Sequence, residues 1–201
     1  GLKLARDAGK WRQSGEFSSD YGETDGDETK NRIFGAAQLD RRFENDRWSA
    51  YGRGSYEVDE FSGFDSRAFL GAGIGYQAIR NDNTKWSLEG GPGLKIDEIK
   101  PILAGDGSVI TDGVTEESFA VRGGSKFSHA FNENVTFTND TEVVYTDVST
   151  QVTNGLALTA KLMDKLSARF SFDVRHDTDA PLGTEDTDTA TRISLVYGFG
   201  G

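Results

Sequence analysis

The side chains of this 201-residue chain with the chemistry to act on another molecule are charged residues set two apart and a pair of histidines set far apart. His129 and His176 fall near the ends of alternating stretches and outside any His-x-x-x-His spacing. A hydrolytic site needs a nucleophile, a base and an orienting group brought together. Ser128 precedes His129, but neighbours on a strand point to opposite faces. No catalytic residue is assigned, and the chain is expected not to be an enzyme. There is no cysteine, which excludes thiolate metal sites, disulfides and thiol catalysis. "ETDGDET" at 23–29 and "HDTDAPLGTEDTD" at 176–188 concentrate carboxylates, without the spacing of a complete EF-hand loop. They read as solvated acidic loops, so neither a metal nor a cofactor is expected.

The alternating charges are a different matter. In "VRGGSKFSHAFNENVTFTNDTEVVY" at 121–145, Val121, Phe127, Val135, Phe137, Val143 and Tyr145 share one parity. Arg122, Lys126, Asp140 and Glu142 share the other. Strict period-two alternation marks strands with two unlike faces. Along the chain the charged parity continues through Arg12, Glu16, Arg53, Glu57, Arg67, Glu89 and Lys95, and then through Lys161, Arg169, Asp173, Arg175 and Arg192. Both signs occur, which suits a bore cross-linked by ion pairs. Such a bore filters small solutes by charge and size where it is open, and forms a closed polar core where the pairs interlock. The apolar parity, including Phe17, Leu70, Ile74, Leu94, Phe119, Leu158, Phe170, Ile193 and Leu195, would then face lipid.

The elements that must position these residues are strands. Ten full strands are expected at about 10–21, 30–42, 47–58, 64–78, 85–97, 117–131, 135–146, 151–162, 166–176 and 188–199, with an N-terminal stub before them. No segment fits a helical period better. The connections "RDAGK", "RFENDR", "IRNDNTK", "NEN" and "MDK" are short. They alternate with "GETDGDETK", "DEFSGF", the stretch from Asp97 to Glu117, "DVST" and "DTDAPLGTEDTD", which are mostly longer and acidic. Short turns on one rim and longer loops on the other describe an outer-membrane barrel. Trp11, Trp48 and Trp86 follow short turns, and with Tyr76, Tyr197 and Phe199 they are expected to form an aromatic girdle there.

The fold expected is therefore all-β, an antiparallel up-and-down transmembrane β-barrel forming a single domain over residues 1–201. Composition agrees. With 35% hydrophobic residues the chain is poor in apolar groups for a large soluble core, but suits a barrel with a polar inside and a thin apolar outside. No run of about 18 apolar residues is present to make a transmembrane helix. The net charge of -11 argues against nucleic acid, which needs a concentrated basic surface. "GLKLARDAGKW" reads as the end of one strand and the turn into another, with no signal peptide before it. Pro92, lacking an N–H, is expected at a bulge. Gln13, Asn139 and Asn154 fall on the lipid parity, which implies a bulge, a rim position or a partner protein.

Several stretches resemble a known family. "FSGFD" at 61–65, "GAGIGY" at 71–76, "EGGPG" at 89–93 and "HDTDAPLGTEDTDTATRISLVYGF" at 176–199 are similar to the YdiY-type salt-induced outer-membrane proteins, whose biochemical function is unassigned. The resemblance covers nearly the whole chain. It implies a Gram-negative outer-membrane β-barrel of about 12 strands with both termini in the periplasm, and so a first strand missing ahead of Gly1. "SLVYGF" looks like the C-terminal signal read by the barrel-assembly machinery, although here Gly200 and Gly201 follow the last aromatic. Lipid, lipopolysaccharide and that machinery are the expected partners, with an envelope protein as a further candidate. The expected function is a narrow passive channel for small solutes or ions. The alternative is a non-conducting structural barrel that binds a partner.

Overall fold

The structure, a computed structural model, describes residues 1–105, 108–180 and 185–198. The alternating stretches join one continuous antiparallel sheet of 11 strands. Its first half comprises β1 (Leu2–Ala8), β2 (Trp11–Thr24), β3 (Asp27–Arg42), β4 (Trp48–Asp59), β5 (Phe64–Arg80) and β6 (Thr84–Ile99). Two short strands, β7 (Ile102–Leu103) and β8 (Val109–Thr111), form a separate hairpin. The sheet resumes with β9 (Val114–Ala130), β10 (Val135–Tyr145), β11 (Thr150–Lys161), β12 (Leu166–Asp177) and β13 (Thr187–Tyr197). Strand order follows chain order, with β9 beside β6, as an up-and-down meander requires. The ten strands and the N-terminal stub read from the sequence are all there. β1 and β13 are the free edges of the sheet.

The faces are inverted relative to a soluble protein. Ile193 is 84% exposed, Leu195 72% and Leu70 68%, all on the outer wall. Arg122 is 2% exposed, and Glu57, Arg67, Lys95, Asp97 and Asp177 are buried with it on the concave side. Water would strip such a sheet of its hydrophobic driving force, because the face left outside is the apolar one. Hydrocarbon against that face and polar groups within is the arrangement of a membrane barrel.

Several local expectations are corrected. "GETDGDETK" is not a long loop. β2 and β3 run on to a two-residue turn at Asp25 and Gly26, whose φ angles of 56° and 92° are those a hairpin of right-handed twist demands. Pro92 lies at no register shift. Instead the β5–β6 pairing is interrupted where Ala72 and Gly73 face Gly91 and Pro92. A Cβ on Gly73 would sit 2.2 Å from the Gly90 carbonyl oxygen, and one on Gly91 would sit 2.1 Å from that of Ala72. Only glycine permits two backbones to pass so closely. The β5 bulges lie elsewhere, one of them between Gln77 and Ile79, where Gln77 Nε2 donates to the carbonyls of Ile79 (2.8 Å) and Trp86 (3.0 Å). Two of the outward amides, Asn139 and Asn154, are satisfied without a bulge, while Gln13 is exposed on β2. Asn154 Nδ2 donates to Thr141 Oγ1 at 2.7 Å across the β10–β11 pair, and Thr141 in turn donates to Asn139 at 3.4 Å.

Candidate functional site

Two clusters of ion pairs occupy the concave side. The first is centred on a cation. Arg122, on β9, donates through Nε to Glu142 on β10 (2.8 Å) and through Nη2 to Glu89 on β6 (2.7 Å); Nη2 also contacts Glu142. These three strands are neighbours, so the guanidinium fastens one arc of wall. Strands farther round reach in. Arg122 Nη1 meets Tyr51 Oη from β4 at 3.4 Å, Arg53 lies 3.5 Å from Glu142, and Gln38 Nε2 donates to Glu89 at 3.1 Å. Lys126 adds a contact to Glu89 at 3.4 Å.

The second cluster is centred on an anion. Glu57 on β4 accepts from Arg32 on β3 (2.5 Å) and from Arg175 on β12 (2.5 Å). β4 and β12 have β5, β6, β9, β10 and β11 between them in the sheet, so the second bond crosses the bore. Arg67 on β5 makes another crossing to Asp177 at 2.9 Å, and its guanidinium covers the Phe64 ring at 3.3 Å. Phe64, the first residue of β5 and by parity outward, is thereby turned inward and buried. Gln151, with its amide oxygen facing the guanidinium groups, accepts from Arg67 (2.7 Å) and Arg175 (3.0 Å). Lys95 pairs with Asp97 at 2.7 Å and donates to Ser149 at 3.3 Å. Arg192 on β13 joins Asp173 (2.6 Å) to Asp20 on β2 (3.2 Å), drawing the two ends of the sheet towards each other.

A cavity lies beyond each cluster. One of about 520 Å³ opens at the long-loop end, where Lys95, Asp97, Glu116, Ser149 and Asp179 line it beside Lys100, Pro101 and Ile102. The other, of about 170 Å³, opens at the short-turn end between Arg12, Asp40, Arg47, Glu89 and Lys126. The ion pairs are the partition between them. Buried polar atoms in that partition, Arg32 Nε, Gln38 Oε1 and Arg53 Nε, have no hydrogen-bond partner within the protein.

The remaining charged-parity residues stand apart from the clusters. Arg12 is exposed at the short-turn mouth. Glu16 pairs with Lys3 of β1 at 3.1 Å. Asp140 stands opposite Lys126 in the β9–β10 register and is exposed, while Arg169 stands opposite Thr159 and Ser194. Lys161 closes β11 and pairs with Asp164 of the adjoining turn at 3.5 Å, away from the bore. Asp20, Arg32, Gln38, Tyr51, Asp97 and Asp177 belong to the clusters without having been singled out from the sequence. Each has the inward parity of its strand, which was the signal available.

At the short-turn rim Trp11 and Trp48 are exposed, and Trp48 packs on Tyr76 with centroids 4.7 Å apart. Trp86 Nε1 donates to Ser125 at 3.0 Å, and Tyr197 is exposed at the end of β13. Phe199 lies outside the described residues. His129 and His176 hydrogen-bond to Thr84 and Thr187 and lie far apart in the sheet. Among the described residues no group of three His, Cys, Asp or Glu side chains is arranged to hold a metal.

The model of a family described as "Protein of unknown function, DUF481" matches residues 1–199, a span that includes every stretch on which the family resemblance rests. Among solved structures the chain is similar to the NanC porin in a rhombohedral crystal form. That likeness has a TM-score of 0.59 and 11% identity, and covers 98% of this chain and 91% of the porin. At so low an identity the likeness is one of fold. No curated protein matches the chain.

Proposed function

The chain belongs to the DUF481 family, and we propose that it works as a narrow passive channel for small ions and solutes in a bacterial outer membrane. The observation that carries this reading is the pair of cavities at opposite ends of the sheet, with the ion pairs of Arg122 and Glu57 at the strand positions between them. An ion-pair partition opens by changes of rotamer, since Arg and Lys carry long flexible stems. A backbone plug would need refolding. The unpartnered Gln38 Oε1 and Arg53 Nε are costly in a dry interior and ordinary in a wet one. The porin-like fold and the lipid-compatible outer wall support the location. The experiment is single-channel conductance in a planar bilayer, with folding established by the heat-modifiable shift in gel migration. Discrete conductance steps are expected.

A second reading has its own support. Glu57 held from both sides and Arg122 almost wholly buried describe an interlocked bore, as a non-conducting structural barrel would have. Silence from folded protein would establish that reading and turn attention to the acidic loops and to an envelope partner.

A further inference from the structure

The two mouths of the bore carry opposite charge. At the long-loop mouth the cavity is lined by Asp97, Glu116 and Asp179 against Lys95 and Lys100. The Lys95 and Asp97 charges offset each other, and Lys100 keeps its charge, so the excess of negative charge at this mouth comes from Glu116, Asp179 and the rim around them. Lys95 is paired to Asp97, and the Lys100 ammonium is held by the carbonyl oxygens of Asp59 (3.1 Å), Glu60 (2.6 Å) and Ser62 (3.1 Å). Around that cavity the same rim exposes Glu60, Asp112, Asp147, Glu185, Asp186 and Asp188. At the short-turn mouth the cavity is lined by Arg12, Arg42, Arg47 and Lys126 against Asp40, Asp46 and Glu89. Glu89 is taken up by Arg122, and Lys10 and Arg42 are paired with Glu44 and Asp7; on the rim around the cavity Arg41, Arg80, Lys85 and Lys165 are exposed against Asp82 and Glu133, which leaves an excess of positive charge. Between the mouths lies the partition in which each central charge is matched by its opposite.

We propose that the bore is a bipolar conduit that rectifies the flow of small inorganic ions, with a cation-collecting long-loop mouth and an anion-collecting short-turn mouth. This rests on the channel reading above. Fixed charge in a narrow, low-dielectric mouth concentrates counter-ions there, so cations gather at one end and anions at the other. With the long-loop side positive, the field drives both populations towards the partition, which fills with carriers. With that side negative, both are drawn out of the partition, which is depleted. Current is therefore larger when the long-loop side is positive. At about 0.1 M salt the screening length is about 10 Å, comparable with such a mouth, and at about 1 M it is about 3 Å. The asymmetry must fade as salt rises.

The test is the current–voltage curve of single channels of the whole chain at about 0.1 M and about 1 M potassium chloride. Because the chain has no cysteine, an Asp112→Cys variant treated from one chamber with a membrane-impermeant thiol reagent reports which way each channel is inserted. A current at least about two-fold larger with the long-loop side positive is expected at the lower salt, approaching unity at the higher. Arg12→Gln with Arg47→Gln, and separately Glu116→Gln with Asp179→Asn, should each reduce the ratio. Conduction with a symmetric curve at low salt would overturn the bipolar conduit and leave the channel standing. A ratio that survives both pairs of variants would overturn its origin in the mouth charges. Folded protein that passes no current overturns both proposals.

Discussion

The two ionic clusters use the same side chains to opposite ends. Around Arg122 a cation is shared by carboxylates from the strands on either side of its own, so its two short bonds work as a strut within one stretch of wall, with only the longer contacts of Tyr51 and Arg53 reaching it from β4. Around Glu57 an anion is shared by guanidinium groups from opposite walls, so the cluster works as a latch across the bore. The difference lies in where the partners are anchored. Neighbouring strands are already held together by backbone hydrogen bonds, and removing a strut leaves charge stranded without moving the wall. Opposite walls have only the side chains between them, and removing a latch frees a passage.

The largest effect expected is on the strut. Arg122→Met leaves Glu89 and Glu142 without their central cation, and breaking one side of a buried ion pair costs about 3–5 kcal/mol. Urea unfolding in lipid vesicles, followed by the gel shift, should show that loss. A change of under about 1 kcal/mol would mean that Arg53 and Lys126 replace Arg122, and the strut would dissolve into the general charge of the bore.

Next comes the close backbone approach of β5 and β6, which lies between the charged residues those strands give to the clusters. Gly91→Val drives a side chain into the Ala72 carbonyl and should cost about 3 kcal/mol or prevent assembly, as overpacking against rigid backbone does. A fully stable variant would show that the close approach of β5 and β6 is dispensable, and that the pairing there can re-form around a side chain.

The latch is sharpened by Glu57→Gln, which keeps the shape and removes the charge. A rise in unitary conductance of about two-fold, with a stability loss of about 1–3 kcal/mol, is the expected pattern. If stability falls with no change of conductance, Glu57 is a second strut and the contrast between the clusters fails. The smallest effect belongs to Lys161, whose partner Asp164 lies in an exposed turn. Lys161→Gln should leave both stability and conductance unchanged within error, since such surface pairs contribute little. A clear shift in ion selectivity would bring Lys161 back into the bore.

Much of this arrangement was legible in the residues. The parity that put Ile193 and Leu195 on one face and Arg192 on the other holds from β2 to β13, because a strand's period of two is local and survives any curvature of the sheet. Loop length was less legible. Gly, Asp and Thr at 22–29 suit a loop, yet Asp25 and Gly26 are also the pair that a two-residue hairpin takes, and the pairing of Glu23 with Glu28 decides between them. Phe64 has the outward parity of Leu70 and Ile74, yet the register shift beside it and the Arg67 guanidinium over its ring turn it inward. Asn139 and Asn154 looked stranded on the outer face until the register set Thr141 opposite Asn154.

By itself, then, the sequence determined the strands, their order as hairpins, and which side chains share a face, since each of these depends on residues within a turn or a strand of one another. Which charges meet was decided only by the tertiary structure. Glu57 and Arg175 are 118 residues apart, and what joins them is the curl of the whole sheet, the sum of small twists and staggers over every strand between β4 and β12. No stretch of sequence holds that sum, and so none reveals whether a charged face becomes a strut or a latch.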